Sequence, residues 1–182
     1  MKPLDPVRTL LAAVVLTGAA LTPVAAQAQM SPAAPPACTA LDKAVPAPWR
    51  SWTTPEPLQG GANLATAGKL VVGHTYSAAL SASAAMSYVV PLPKPAAEGS
   101  LAGLFTLTID TAGTYSIALN NGAWIDVAPA AGQPLSSVAH GHGPACTTIH
   151  KVVDFALQPG AYVVQISGAQ TSPVVIEIEA KS

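Results

Sequence analysis

Three histidines and a cysteine fall within one short run, Ala139-His140-Gly141-His142-Gly143-Pro144-Ala145-Cys146-Thr147-Thr148-Ile149-His150. At a strand end, the i, i+2 spacing of His140 and His142 turns both imidazoles to one side. Two such side chains are half of a zinc, copper or iron site. His150 would add a third nitrogen, and Asp126 or Asp154 a carboxylate, to give a two-His-one-carboxylate set. The same segment also reads structurally. Gly141, Gly143 and Pro144 mark a turn in which histidines are simply solvated, and Cys146 has a partner to meet elsewhere. The expectation is a chain without a resident cofactor; the alternative is one holding iron, copper or zinc here.

Other chemistries are less complete. Ser136-Ser137 stands near His140, but no nucleophile-elbow glycine pattern surrounds either serine. The acids available for paired-carboxylate work are Asp42, Glu56, Glu98, Asp110, Asp126, Asp154, Glu177 and Glu179, most of which read as turn or exposed strand positions. Gln59-Gly60-Gly61 lacks the Gly-Lys-Ser/Thr of a phosphate loop. His74, at the start of an apparent strand, reads as structural. Eight Lys or Arg face nine Asp or Glu with no basic cluster, which argues against nucleic acid as a partner. If the chain binds a ligand, the loop Ser136–Cys146 and the turn around Asn120–Trp124 are the expected places, with Trp124 and Asn121 as contact residues.

The elements that must position these groups are strands. Lys2 and Arg8 precede the apolar run Leu10–Leu21, and Ala26-Gln27-Ala28 follows Pro23, so residues 1–28 read as a cleavable signal peptide. Residues 29–66 read as a Pro/Ala-rich extended arm, with Trp49 and Trp52 as its packing anchors. From 67 to 182 the period is two: Phe105, Leu107 and Ile109; Tyr115, Ile117 and Leu119; Val153, Phe155 and Leu157; Tyr162, Val164 and Ile166; Val174, Ile176 and Ile178. Asn120-Asn121-Gly122 reads as a tight hairpin turn. On the strand after Ile149, His150 and Asp154 share what reads as the exposed face. The fold class expected is all-β: one β-sandwich or jelly-roll-like domain of about seven to eight antiparallel strands. Cys38 and Cys146 read as a disulfide in an oxidising compartment, tying the arm to the domain.

A weak internal repeat runs through the strands. Phe105-x-Leu107 followed by Gly113-x-Tyr115-x-Ile117-x-Leu119 is echoed by Phe155-x-Leu157 followed by Gly160-x-Tyr162-x-Val164-x-Ile166, which reads as two equivalent hairpins. The stretch Leu157-Gln158-Pro159-Gly160-Ala161-Tyr162-Val163-Val164-Gln165-Ile166 resembles the bacterial pre-peptidase C-terminal domain and its carbohydrate-module relatives, which implies a secreted accessory sandwich. A second resemblance, over Gly122-Ala123-Trp124-Ile125-Asp126-Val127 and His140-Gly141-His142-Gly143-Pro144, is to short exported bacterial proteins labelled homogentisate 1,2-dioxygenase. That label implies non-haem iron on two histidines and a glutamate; His142-Gly143-Pro144 matches one such context, and no glutamate lies beside it. The expectation is a periplasmic or secreted, non-catalytic binding or accessory protein of the cell envelope. Its partner would be a small molecule, a glycan or an envelope protein, with no membrane span after signal cleavage. The alternative is a metal-dependent oxygenase.

Overall fold

The computed structural model of the protein describes residues 38–130 and 132–181; the leader expected at 1–28 and the arm's first residues, 29–37, lie outside them. Eleven strands cross the described residues: β1 Glu56–Gln59, β2 Gly68–Leu70, β3 Thr75–Ala79, β4 Ser81–Ala82, β5 Leu101–Ile109, β6 Gly113–Leu119, β7 Trp124–Pro129, β8 Ala139–Gly141, β9 Lys151–Leu157, β10 Gly160–Ala169 and β11 Val174–Ala180. They build a six-stranded sheet in the order β1-β3-β11-β6-β9-β8 and a five-stranded sheet in the order β2-β5-β10-β7, with β4 beside β5. No helix of the described residues is long and apolar enough to cross a membrane.

The period-2 residues read from the sequence become the inter-sheet core. Phe105, Leu107 and Ile109 meet Ile117, Leu119, Phe155, Leu157, Val164, Ile166, Ile176 and Ile178, all buried in one cluster. Each such side chain contributes roughly 1.5–3 kcal/mol by leaving water. The sandwich is therefore as expected in class but richer in strands. The additional ones, β1, β2, β4 and β8, have two to four residues each, too few for alternation to register. Two pairings are parallel, β1 with β3 and β2 with β5, where an all-antiparallel domain was expected. The expected arm also ends earlier than residue 66, because β1 is already part of a sheet. Pro57 is tolerated there since β1 is an edge strand, where a missing N–H breaks no ladder.

The repeated units are not hairpins. β5 lies in the five-stranded sheet and β6 in the six-stranded one, while β9 and β10 make the reverse crossing. Each pair is an arch over the core, and the arches interlock, β5 pairing with β10 and β6 with β9, all antiparallel. The shared Gly-x-Tyr explains the repeat: Tyr115 Oη donates to Thr111 O at 2.7 Å and Tyr162 Oη to Gln158 O at 2.9 Å. Both are tyrosine corners, in which the phenol ties the strand start to the turn four residues before it. Asn120-Asn121-Gly122 likewise joins β6 to β7 across the two sheets instead of closing a hairpin.

Both outer faces are covered in part. Gln165, fully buried on β10, accepts from Val89 N and Val90 N at 3.0 Å and donates to Val90 O, fastening the segment before β5. On the six-stranded sheet, Trp49 and Trp52 pack over Ala118 and Ile149, so the tryptophans of the arm are anchors as expected. The arm is fixed at several points: the Cys38–Cys146 disulfide, Trp52 Nε1–H to Thr148 Oγ1 at 2.9 Å, Thr148 N–H to Asp42 Oδ1 at 2.7 Å, and Ser51 Oγ to Glu177 Oε1 at 2.7 Å. Asp42 and Cys146 both have positive φ and are joined by a hydrogen bond from Asp42 N to Cys146 O.

Candidate functional site

The two loops singled out in the sequence come together at one edge of the sandwich. β7 ends the five-stranded sheet, and β8, paired only with β9, ends the other. Between them opens a cleft of about 470 Å³, bounded by Trp124, Ile125 and Asp126 of β7, Leu135, Ser136 and Ser137 of the following loop, His140 of β8, and Lys151, Val153 and Phe155 of β9. Strand alternation explains the mixed lining. Ile125, Val153 and Phe155 belong to the core, while Trp124 and Asp126 alternate with Ile125 and Val127 on β7.

Trp124 is 54% exposed, whereas Trp49 and Trp52 are buried. It is also held in place. Its Nε1–H donates to Asp126 Oδ1 at 2.9 Å, and the Lys151 ammonium lies over the indole, 5.3 Å from the ring centroid. Lys151 Nζ is itself anchored on Ala123 O at 2.8 Å. Burial pushes the Asp126 carboxyl up, with the hydrogen bond from Trp124 opposing, and burial lowers the Lys151 ammonium. The side-chain polar atoms closed off from solvent without a partner, among the described residues, are Asp126 Oδ2 and Asn121 Nδ2. Both lie within three residues of Trp124. Such groups cost about 1–3 kcal/mol each, so their concentration at one place calls for an explanation other than stability.

His140, His142 and His150 border a smaller recess of about 190 Å³ together with Gly122 and Lys151. His142 and His150 meet edge to face at 5.9 Å, and His142 Nδ1 donates to His150 O at 3.1 Å, which leaves its Nε2 free. Asp126 borders the cleft beside His140 but not this recess. Among the described residues, no three of His, Cys, Asp and Glu gather as a metal site requires. The two-His-one-carboxylate donor set that iron would need is therefore not assembled. Gly143 shapes this loop by close approach: a Cβ there would run into the carbonyl oxygen and side chain of Ile149. Gly143→Ala is expected to displace the His142 segment and lower the melting temperature by several degrees, which thermal unfolding followed with histidine NMR would register.

One acidic cluster escaped the sequence reading. Asp154 and Glu177, taken as exposed on period 2, are buried because the arm and Lys181 cover that face. Glu177 accepts from Ser51 Oγ and from Thr75 Oγ1 at 2.6 Å; Asp154 accepts from Ser116 Oγ at 2.7 Å and pairs with Lys181. Glu179, in register with Ser116 across from Asp154, borders a groove of about 700 Å³ with Trp49, His140, His142 and Lys181. Desolvation, and then the adjacent Glu177, push its carboxyl from 4.5 to about 7. The folded chain thus keeps a proton there that the unfolded chain loses above its lower value. The contribution of Glu179 to stability should be full below about pH 4.5 and decline as pH rises to about 7, and Glu179→Gln should flatten this decline. Urea titrations across that window would measure it.

No protein-family model matches this chain, and no curated protein matches it.

Proposed function

We propose that this is an exported, non-catalytic β-sandwich binding protein of the bacterial cell envelope, which holds a small molecule or glycan in the cleft between β7, β8 and β9. The observation that carries this reading is Trp124: a large apolar side chain kept at the mouth of a cleft and immobilised there by Asp126 and Lys151. An indole displayed in this way is worth its exposure when a ligand covers it. Export is supported by the leader-like residues 1–28 and by the Cys38–Cys146 disulfide, a bond that persists in oxidising compartments. The Pro159-Gly160-Ala161-Tyr162 likeness to secreted accessory domains points the same way.

The test is native mass spectrometry of the protein purified from the periplasm, incubated with the low-molecular-weight and glycan fractions of a bacterial envelope. A discrete adduct that disappears in Trp124→Ala is the expected result. No adduct, or one unaffected by Trp124→Ala and His140→Ala, would sink the reading. Parallel incubation with iron, copper or zinc tests the oxygenase alternative, which requires a stoichiometric metal lost in a His140→Ala/His142→Ala variant.

A further inference from the structure

We infer that the edge cleft takes a neutral carbohydrate, with a pyranose ring laid on the exposed indole of Trp124 and its hydroxyls on the cleft rim. This names the ligand class of the site proposed above and rests on that reading.

The cleft divides its chemistry as a sugar does. A pyranose has flat C–H faces and an equatorial belt of hydroxyls. Trp124 supplies the flat apolar surface, 54% exposed, fixed at its edge by Asp126 and with the Lys151 ammonium over one face. A ring so held loses little freedom on binding. Around it stand Ser136, Ser137 and His140, exposed and without a side-chain hydrogen bond of their own among the described residues. These are groups that both donate and accept, the capacity that sugar hydroxyls require.

Charge argues for a neutral ligand. The ionisable side chains lining the cleft are Lys151 and Asp126, one of each sign and each with a hydrogen-bond partner in the protein, and His140 on the rim. The signs of Lys151 and Asp126 offset one another, and burial disfavours the charged form of both. The volume of about 470 Å³ lies within the range of small-molecule sites and leaves room for a mono- or disaccharide.

The experiment titrates the purified protein with glucose, galactose, N-acetylglucosamine and their β-linked disaccharides, followed by calorimetry and tryptophan emission. Glucuronate and p-hydroxybenzoate serve as charged and aromatic probes. At least one neutral sugar should bind saturably in the millimolar range or tighter. Trp124→Ala should weaken it tenfold or more, Trp124→Phe should restore part of the loss, and a combined Ser136→Ala/Ser137→Ala variant should weaken it several-fold. Binding of glucuronate or p-hydroxybenzoate but of no neutral sugar would overturn the ligand class while leaving the cleft a binding site. Sugar binding indifferent to Trp124→Ala would overturn the placement. Silence from every probe, beside an envelope-derived adduct that needs Trp124, would likewise retire the carbohydrate and keep the site.

Discussion

Replacing Cys38 and Cys146 by serine is expected to remove up to about 4–5 kcal/mol of unfolding free energy, the largest effect of any change considered for this molecule. The bond spans 108 residues of sequence, and in the chain-entropy model a loop of that size gives the unfolded chain its greatest restriction. The geometry beside the bond makes that figure a ceiling, because relief of local strain offsets part of the loss. Asp42 and Cys146 both hold positive φ, a conformation that costs non-glycine residues free energy and persists only where surrounding contacts impose it. Urea unfolding of wild type and the double serine variant, under oxidising conditions, gives the number. A loss under about 1 kcal/mol would mean that Asp42, Ser51 and Trp52 hold the arm without the bond.

The second large effect is expected from Trp52→Ala, at about 3–5 kcal/mol. Trp52 is 3% exposed and packs with Trp49, Ala118 and Ile149 on the outer face of the six-stranded sheet. Its removal opens a cavity and also deprives Thr148 Oγ1 of a donor. Thr148 is in turn bonded to Asp42, so the substitution and the disulfide act on one network and their effects should sum to less than the separate losses. Thermal unfolding of the single and combined variants measures both numbers. Simple additivity would show that the tryptophan and the disulfide secure different parts of the arm.

What was legible in the sequence was the alternation, and with it the five long strands and their shared core. Alternation reports which side of a strand is apolar. It does not report which sheet the strand joins, and so the β5–β6 and β9–β10 arches read as hairpins: either connection requires the same inward residues. Only the tyrosine corners distinguish them, and the signal for those, Gly-x-Tyr after a turn, was visible twice in the repeat. Alternation also equates outward with wet. That fails for Glu177, because residues more than a hundred positions earlier, Trp49 to Trp52, fold back over that face, and for Asp154, which pairs with Lys181 there. A Trp-rich segment with no strand pattern of its own was the sign that some second face had to receive it.

The candidate site was legible as places more than as partners. The loop Ser136–Cys146 and the turn around Asn120–Trp124 do converge, and His140 and Trp124 border one cleft. Lys151, which the sequence reading did not single out, proves to sit over the indole of Trp124. Asp126, considered for a metal, instead fixes that indole through Nε1. Long side chains such as Lys reach across strands in ways that sequence spacing does not encode.

The central claim, that the β7–β8–β9 cleft is where this protein meets its ligand, is tested most directly by two-dimensional NMR. The protein has three tryptophans, and their Nε1–H resonances can be assigned by substitution, Trp124 reporting on the cleft and Trp49 and Trp52 on the outer face of the six-stranded sheet. On addition of the envelope glycan fraction, the Trp124 indole signal, with the backbone signals of Ser136, Ser137 and His140, should move in a saturable way while those of Trp49 and Trp52 stay still. Shifts centred on Trp49, or none at Trp124 with a ligand demonstrably bound, would contradict the account and move the site to another face.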